Sequence, residues 1–171
     1  VYTLISNVSS NGTCFTITQP NITLDCNGYW INYSINGSTN TYGVYTNQFN
    51  TTIKNCNIVD GNMSSTYSSR QGILFYEENL GKAYNNFISA NNSPAIYLYN
   101  FDYCNLTSNL VTSYNNHGIF LQSSSNNTLE KNNIVESYWS GLTLNYNSRD
   151  NIIKFNNLTS YHLGLAIYSL N

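Results

Sequence analysis

The sequence predicts an all-β solenoid: a right-handed, single-stranded parallel β-helix of about 6–7 coils, with 23–29 residues per coil. The first observation behind this is a glycine-led block that returns every 23 residues. It reads Gly72-Ile73-Leu74-Phe75, Ala95-Ile96-Tyr97-Leu98, Gly118-Ile119-Phe120-Leu121, Gly141-Leu142-Thr143-Leu144 and Gly164-Leu165-Ala166-Ile167. Two more copies, Cys14-Phe15-Thr16-Ile17 and Gly43-Val44-Tyr45-Thr46, lie upstream at 29-residue spacing. The apolar residues stand two apart, so each block is a strand and not a helical turn. A β-sandwich with similar strands would not explain the constant spacing.

The second observation is another block between the first ones. It spans 50–58 and returns at 126–134, with weaker copies at 21–29, 80–88, 103–111 and 150–158. One of its columns reads Leu24, Ile53, Ala83, Leu106, Leu129, Ile153 and predicts a stack of buried aliphatics. The column three residues on reads Asn27, Cys56, Asn86, Asn109, Asn132, Asn156 and predicts an inward asparagine ladder, with Cys56 filling the gap. Buried amides must satisfy their donors and acceptor, and stacked identical amides can do so for one another. Each coil is therefore a strand beginning at Gly, a turn, a second strand, the Asn corner and a shorter third segment. A coil cannot bury its own apolar side, so neighbouring coils hold one another.

Composition bounds the rest. The 171 residues form one domain, with an N-terminal edge strand and turn over 1–13 and repeated coils over 14–171. Charged residues are 8%, against about 25% in ordinary soluble proteins. With a net charge of −2 and no basic stripe, nucleic acid is not an expected partner. No apolar run approaches the ~20 residues of a membrane helix. Val1 to Ile5 already reads as strand, which predicts a mature or trimmed chain.

Asn, Ser and Thr carry the polar surface, and sequons are abundant. Glycosylation is expected among Asn7, Asn11, Asn21, Asn32, Asn36, Asn50, Asn62, Asn105, Asn126 and Asn157. Composition alone supplies many sequons, and Asn91, followed by Pro94, is the poorest acceptor. Asn21, Asn50 and Asn126 share one corner column, where an Asn also simply suits the turn.

An enzyme of the glycosidase type needs two carboxylates facing one bond. The acids Asp25, Asp60, Glu77, Glu78, Asp102, Glu130, Glu136 and Asp150 are scattered, about one per coil. The outward column Asp25, Lys54, Tyr84, Thr107, Glu130, Lys154 mixes signs. Asn116-His117-Gly118 resembles one element of polygalacturonases, but the companion acidic and basic elements are absent, and His117 reads as a turn residue. No enzymatic activity, cofactor or metal is expected. Tyr45, Leu74, Tyr97 and Phe120 stand at the outward middle of successive first strands and predict an apolar contact ridge. That ridge suits subunit packing or loop cover better than sugar stacking. The apolar segments Val1 to Ile5 and Leu165 to Leu170 predict open strand edges, which pair head to tail with other copies.

Gly12-Thr13-Cys14-Phe15-Thr16-Ile17, Asn21-Ile22-Thr23-Leu24-Asp25-Cys26-Asn27-Gly28 and Thr52-Ile53-Lys54-Asn55-Cys56 resemble the opening coils of exported microbial, often archaeal, parallel β-helix proteins. These belong to the NosD-like, carbohydrate-binding-and-hydrolase repeat group. The resemblance spans nearly the whole chain and implies the fold and an exported, extracellular or cell-surface location. An even cysteine count in such a chain favours disulfides. The resemblance carries Cys14 and Cys26 together, which implies a Cys14–Cys26 bridge, with Cys26–Cys56 on adjacent coils as the alternative. Cys56 and Cys104 lie two coils apart, about 9.6 Å at the stacking distance, beyond the ~7 Å limit for a bridge. The expected function is a non-enzymatic structural glycoprotein that assembles with copies of itself. The alternatives are a carbohydrate-binding module or adhesin fragment with a polysaccharide partner and, less favoured, a carbohydrate-active enzyme.

Overall fold

A computed structural model of the protein describes residues 1–168, with Glu136 described through its backbone alone. Strands pair in parallel with those of the adjacent coils, giving three sheets of seven strands whose end strands pair on one side. Sheet I holds the glycine-led strands, from Phe15–Ile17 through Ile96–Tyr99 to Leu163–Ile167. Sheet II runs from Tyr2–Thr3 through Lys82–Tyr84 to Ile152–Lys154. Sheet III runs from Val8–Ser9 through Phe87–Ala90 to Asn157–Ser160. The chain is thus a β-solenoid of seven coils, as the period predicts.

The register matches the columns. Leu24, Ile53, Ala83, Leu106 and Leu129 pair in line and are at most 4% exposed. Ile31, Ile58, Ile88, Val111 and Ile134 line the core from sheet III. The glycines that begin sheet I strands are there for close approach. A Cβ on Gly72 would lie 2.2 Å from Cγ2 of Ile88. One coil has an alanine at this corner, Ala95, and it has Val111 where its neighbours have isoleucine. Gly72→Ala is expected to cost about 1–3 kcal/mol through overpacking, read as a lower melting temperature.

The corners explain the abundance of asparagine. Residues entering sheet II adopt left-handed backbone at Asn21, Asn50, Leu80, Tyr103, Asn126 and Asp150, with φ between 54° and 64°. Residues leaving it do the same at Asn55, Asn85, Ser108, Lys131 and Phe155. Asn tolerates this region better than other side chains with a Cβ. The inward ladder follows at once. Asn86 donates from its backbone and side-chain amides to Asn109 Oδ1, Asn109 to Asn132 Oδ1, and Asn132 to Asn156 Oδ1, at 2.8–3.2 Å. The same side chains donate back to Ile53, Ala83, Leu106 and Leu129 carbonyls.

Two expectations at this corner are corrected. Asn27 is not a rung: it is exposed, with φ 50°, and forms a turn with Gly28. Cys26 follows its strand without an intervening left-handed residue and takes the buried place itself. It therefore stands over Cys56, Cα to Cα 4.7 Å, and the disulfide is Cys26–Cys56 and not Cys14–Cys26. Cys14 begins a sheet I strand at a different corner, and its thiol donates to the Asn32 carbonyl at 3.5 Å. Cys56 also accepts nothing from the ladder's side chains; its backbone N–H donates to Asn86 Oδ1. Reduction, or Cys56→Ser, is expected to cost about 3–4 kcal/mol for a loop of this length. Urea melts with and without reductant measure it.

The 29-residue coils carry two long loops, 34–42 and 61–71, that pack on each other. Ser65 Oγ donates to the Gly37 carbonyl at 2.7 Å, and Thr39 Oγ1 to the Ser68 carbonyl at 2.9 Å. Arg70, in the second loop, is fully buried and ion-pairs with Asp60. Its guanidinium also donates to the carbonyls of Asn62, Ser65 and Tyr67. Tyr33 Oη donates to the Arg70 carbonyl at 2.7 Å. Ser169 and Leu170, read from sequence as part of the open edge over Leu165 to Leu170, and Asn171 lie outside the described residues.

Candidate functional site

The core is filled by scaffold, so any function lies on the outer faces and at the ends. On the outer face of sheet I, Tyr45, Leu74, Tyr97 and Phe120 stand in register on four successive coils. They do not form an open ridge. Leu74 is 5% exposed, and the rings of neighbouring columns lie over one another. Tyr76 stacks on Tyr99 at 5.0 Å, Tyr42 packs on Tyr45 at 5.5 Å, and Tyr97 meets Phe120 edge-on at 5.3 Å. Burial pushes the phenols of Tyr42, Tyr45 and Tyr97 above their ordinary range. The face is a self-packed aromatic layer.

His117 closes one end of this layer. Its ring packs on Phe120 at 4.9 Å, and its Nδ1 is 2.9 Å from Thr143 Oγ1. Burial lowers its pKa from 6.5 to about 4. The unfolded chain then binds more protons than the native one between these values, so stability rises with pH across that window. The expected result is a stability that falls as pH drops from 6.5 towards 4, with that slope flattened in His117→Gln. Thermal melts over pH 4–7 measure it.

The exposed aromatic cluster lies elsewhere, at the corner that leaves sheet III. Tyr114 is 46% exposed, Tyr138 44%, Trp139 52% and Tyr161 79%. Sequence reasoning missed it because these rings fall in turns, outside the strand columns. Their constant spacing, near one coil, is the signal that could have found them.

Among the described residues, three of the acids, Asp25, Asp60 and Glu130, are tied up in ion pairs. Lys54 reaches Asp25 at 3.0 Å, and Glu130 takes Lys154 at 3.2 Å and Lys131 at 3.5 Å. A hydrogen bond from Asn55 and the Lys54 pair hold the Asp25 carboxyl below its usual range. A hydrogen bond from Lys154 does the same for Glu130. Such carboxylates are ionised acceptors. They are not suited to deliver a proton. Neither free thiol is activated: burial raises Cys14 to about 11 and Cys104 further, whereas nucleophilic cysteines need a lowered pKa.

Of the expected glycan acceptors, Asn7, Asn11, Asn21, Asn36, Asn105, Asn126 and Asn157 are exposed, and Asn32, Asn50 and Asn62 are half-buried. Asn62 is built into the Arg70 loop, with Nδ2 donating to the Ile35 carbonyl and Oδ1 accepting from Ser64 and Ser65. Asn91 is buried, its Nδ2 held by the Met63 and Ser65 carbonyls. Asn50 Nδ2 donates to Asn21 Oδ1 at 2.9 Å, so that pair is coupled across coils.

A repeated β-helical scaffold with amide corners and aromatic outer patches defines the class of protein. The chain belongs to the NosD family: the family described as periplasmic copper-binding protein (NosD) matches residues 3–163. No curated protein and no solved structure matches the chain. Membership in a periplasmic family agrees with the expected exported, cell-envelope location, and no described helix is long and apolar enough to cross a membrane. The copper of the family's description does not fit the residues present. Copper sites draw on imidazole and sulfur donors held together. Among the described residues no group of three or more His, Cys, Asp or Glu is gathered. His117 faces Thr143 and Phe120, His162 stacks on Trp139 at 5.6 Å, and two of the four sulfurs of cysteine are in the disulfide.

Proposed function

We propose that the chain is a non-catalytic, exported structural glycoprotein of the cell surface whose coils stack end to end with those of other copies. The observation that carries this is the state of the outermost coils. Among the described residues, Tyr2–Thr3, Val8–Ser9 and Phe15–Ile17 have sheet neighbours on one side only, as do Ile152–Lys154, Asn157–Ser160 and Leu163–Ile167. Both coils leave apolar side chains open: Tyr2 is 66% and Ile5 88% exposed at one end, Leu163 48% and Ile167 64% at the other. Unpaired parallel edges of this kind template further strands unless charge or proline blocks them; none of these six strands contains proline, and Lys154 is their one charged residue. A stack of identical units joined this way is heterologous and does not close, which yields a filament.

The disulfide, the low charge and the family's periplasmic description support an oxidising, exported setting. Sugars on the exposed sequons supply the solvation that charge does not. On this reading the acceptors are the exposed Asn7, Asn11, Asn21, Asn36, Asn105, Asn126 and Asn157, with Asn62 and Asn91 bare. Site mapping by mass spectrometry of native material tests this, and a glycan on Asn91 in folded protein contradicts it. Assembly is tested by light scattering and electron microscopy of the chain and of Leu4→Lys and Ile167→Lys. The expected result is concentration-dependent polymers in the parent and monomers in both variants. A parent that stays monomeric at high concentration overturns the reading.

A further inference from the structure

We infer that Tyr76 and Tyr99 form a modification site, where a haem peroxidase with hydrogen peroxide joins the two rings covalently and staples successive coils. The two residues are register partners on adjacent strands, Ile73–Tyr76 and Ile96–Tyr99. These are the third and fourth of the seven strands of sheet I, away from both end coils. Strand pairing holds the two backbones at the sheet spacing of about 4.8 Å. The rings lie 9° from parallel, with centroids 5.0 Å apart. The strands are parallel and the residues identical, so the two side chains are related by nearly a pure translation. Like atoms of the two rings therefore lie side by side, including the carbons next to each hydroxyl. Those carbons carry unpaired spin in a phenoxyl radical.

The neighbouring tyrosines are not disposed to couple. Tyr45 is tilted 37° to Tyr76, and Tyr97 stands edge-on to Tyr99 at 80°. The Tyr97 hydroxyl is spent on Gln122 Oε1. Tyr76 and Tyr99 are both half-buried on the outer face, so their ring edges reach solvent and an electron can leave without a pocket for the haem. A proton acceptor is at hand as well. A hydrogen bond to Glu77, with partial burial and the carboxylate's charge, raises the Tyr76 phenol above its ordinary range. The reaction balances. Each phenol gives one electron to the oxidised haem and one proton, that of Tyr76 to Glu77 and that of Tyr99 to water. The two radicals combine through a carbon–carbon bond between ring positions next to the hydroxyls. The hydrogen on each joined carbon then moves, as a proton, to its ring's oxygen and restores both phenols. One hydrogen peroxide becomes two waters, and the chain loses two hydrogen atoms. The new bond closes a loop within one chain, as a disulfide does. It needs no second copy, so the inference stands apart from end-to-end assembly.

Treatment with a haem peroxidase and limiting hydrogen peroxide tests it, followed by reduction, tryptic digestion and mass spectrometry. Tyr76 is the only tyrosine between Arg70 and Lys82, so a linked peptide containing 71–82 identifies it. The expected product is 71–82 joined to 83–131, lighter than their sum by two hydrogen atoms, with the fluorescence of dityrosine. Tyr76→Phe and Tyr99→Phe are each expected to abolish this product while melting with the parent, because the ring is kept. Tyr97→Phe is expected to retain it. A mixture of normal and heavy-nitrogen-labelled chains is expected to give links only between peptides of the same label. The inference is overturned if 71–82 is found joined to 1–54 instead, which would make Tyr45 the partner. It is equally overturned if the product survives in Tyr99→Phe, or if none forms under conditions that couple free tyrosine. Links between labelled and unlabelled peptides would also overturn it, assigning the chemistry to contacts between copies.

Discussion

Asn109→Leu is expected to destabilise the chain by about 3–5 kcal/mol, taking ~1–3 kcal/mol for each buried polar group left without its partner. Asn109 Oδ1 accepts from both the backbone and the side-chain amide of Asn86. Its Nδ2 donates to the Ala83 carbonyl and to Asn132 Oδ1. Leucine keeps the volume and removes all four bonds at once. The Asn86 backbone N–H, in a position at most 2% exposed, loses its partner. Urea denaturation should show the midpoint falling with little change in slope. A shift under about 1 kcal/mol would mean that water enters and replaces the amide.

Arg70→Met is expected to cost about 3–5 kcal/mol, because it leaves Asp60 buried without its counter-ion. Arg70 and Asp60 side chains are both fully buried. Arg70 also ties the Asn62, Ser65 and Tyr67 carbonyls into one loop. The double variant Arg70→Met/Asp60→Asn should recover part of the loss, since the stranded charge is then gone. A double variant no more stable than the single would show that the loop carbonyls, and not the carboxylate, carry the cost. Limited proteolysis between Gly61 and Gln71 should accelerate in the single variant, giving a second readout at the loop itself.

The contrast between these sites shows what the sequence makes legible. The ladder repeats a residue type at a fixed spacing, and each coil repeats the same solvent-free environment, so Asn86, Asn109, Asn132 and Asn156 could be aligned without coordinates. Asn27 fits the same spacing and type yet lies in solvent. The corner between Asp25 and Trp30 is built differently, and two left-handed residues, Asn27 and Gly28, complete the turn. Only one neighbouring position, Cys26, then stays inside, and its bridge to Cys56 follows. Arg70 was hidden because it lies in a non-repeating loop. A clue was present: in Asn57–Asp60 the inward phase is Ile58 and Asp60, and an inward acid requires a cation. The contact ridge failed for another reason. Alternation tells which residues leave the sheet, but not that Tyr42, Tyr45, Tyr76 and Tyr99 pack ring on ring or that Leu74 is buried among its neighbours. The exposed aromatic corner escaped because its rings sit in turns, where no hydrophobic alternation marks them.

The asparagine ladder has a direction. In every bond between side-chain amides the earlier coil donates and the later coil accepts, from Asn86 to Asn109 to Asn132 to Asn156. Nothing in a single coil demands this order, yet one rung set the other way would face donor to donor. The sequence of commitments begins at a covalent stop, Cys26–Cys56, where two sulfurs replace an amide pair. From there orientation passes upward like a ratchet, each rung allowing the next rung one arrangement only. A column built so cannot be reversed or threaded onto itself head to head. Anything added above Asn156 inherits a handed instruction: present an oxygen downward, or leave a proton stranded.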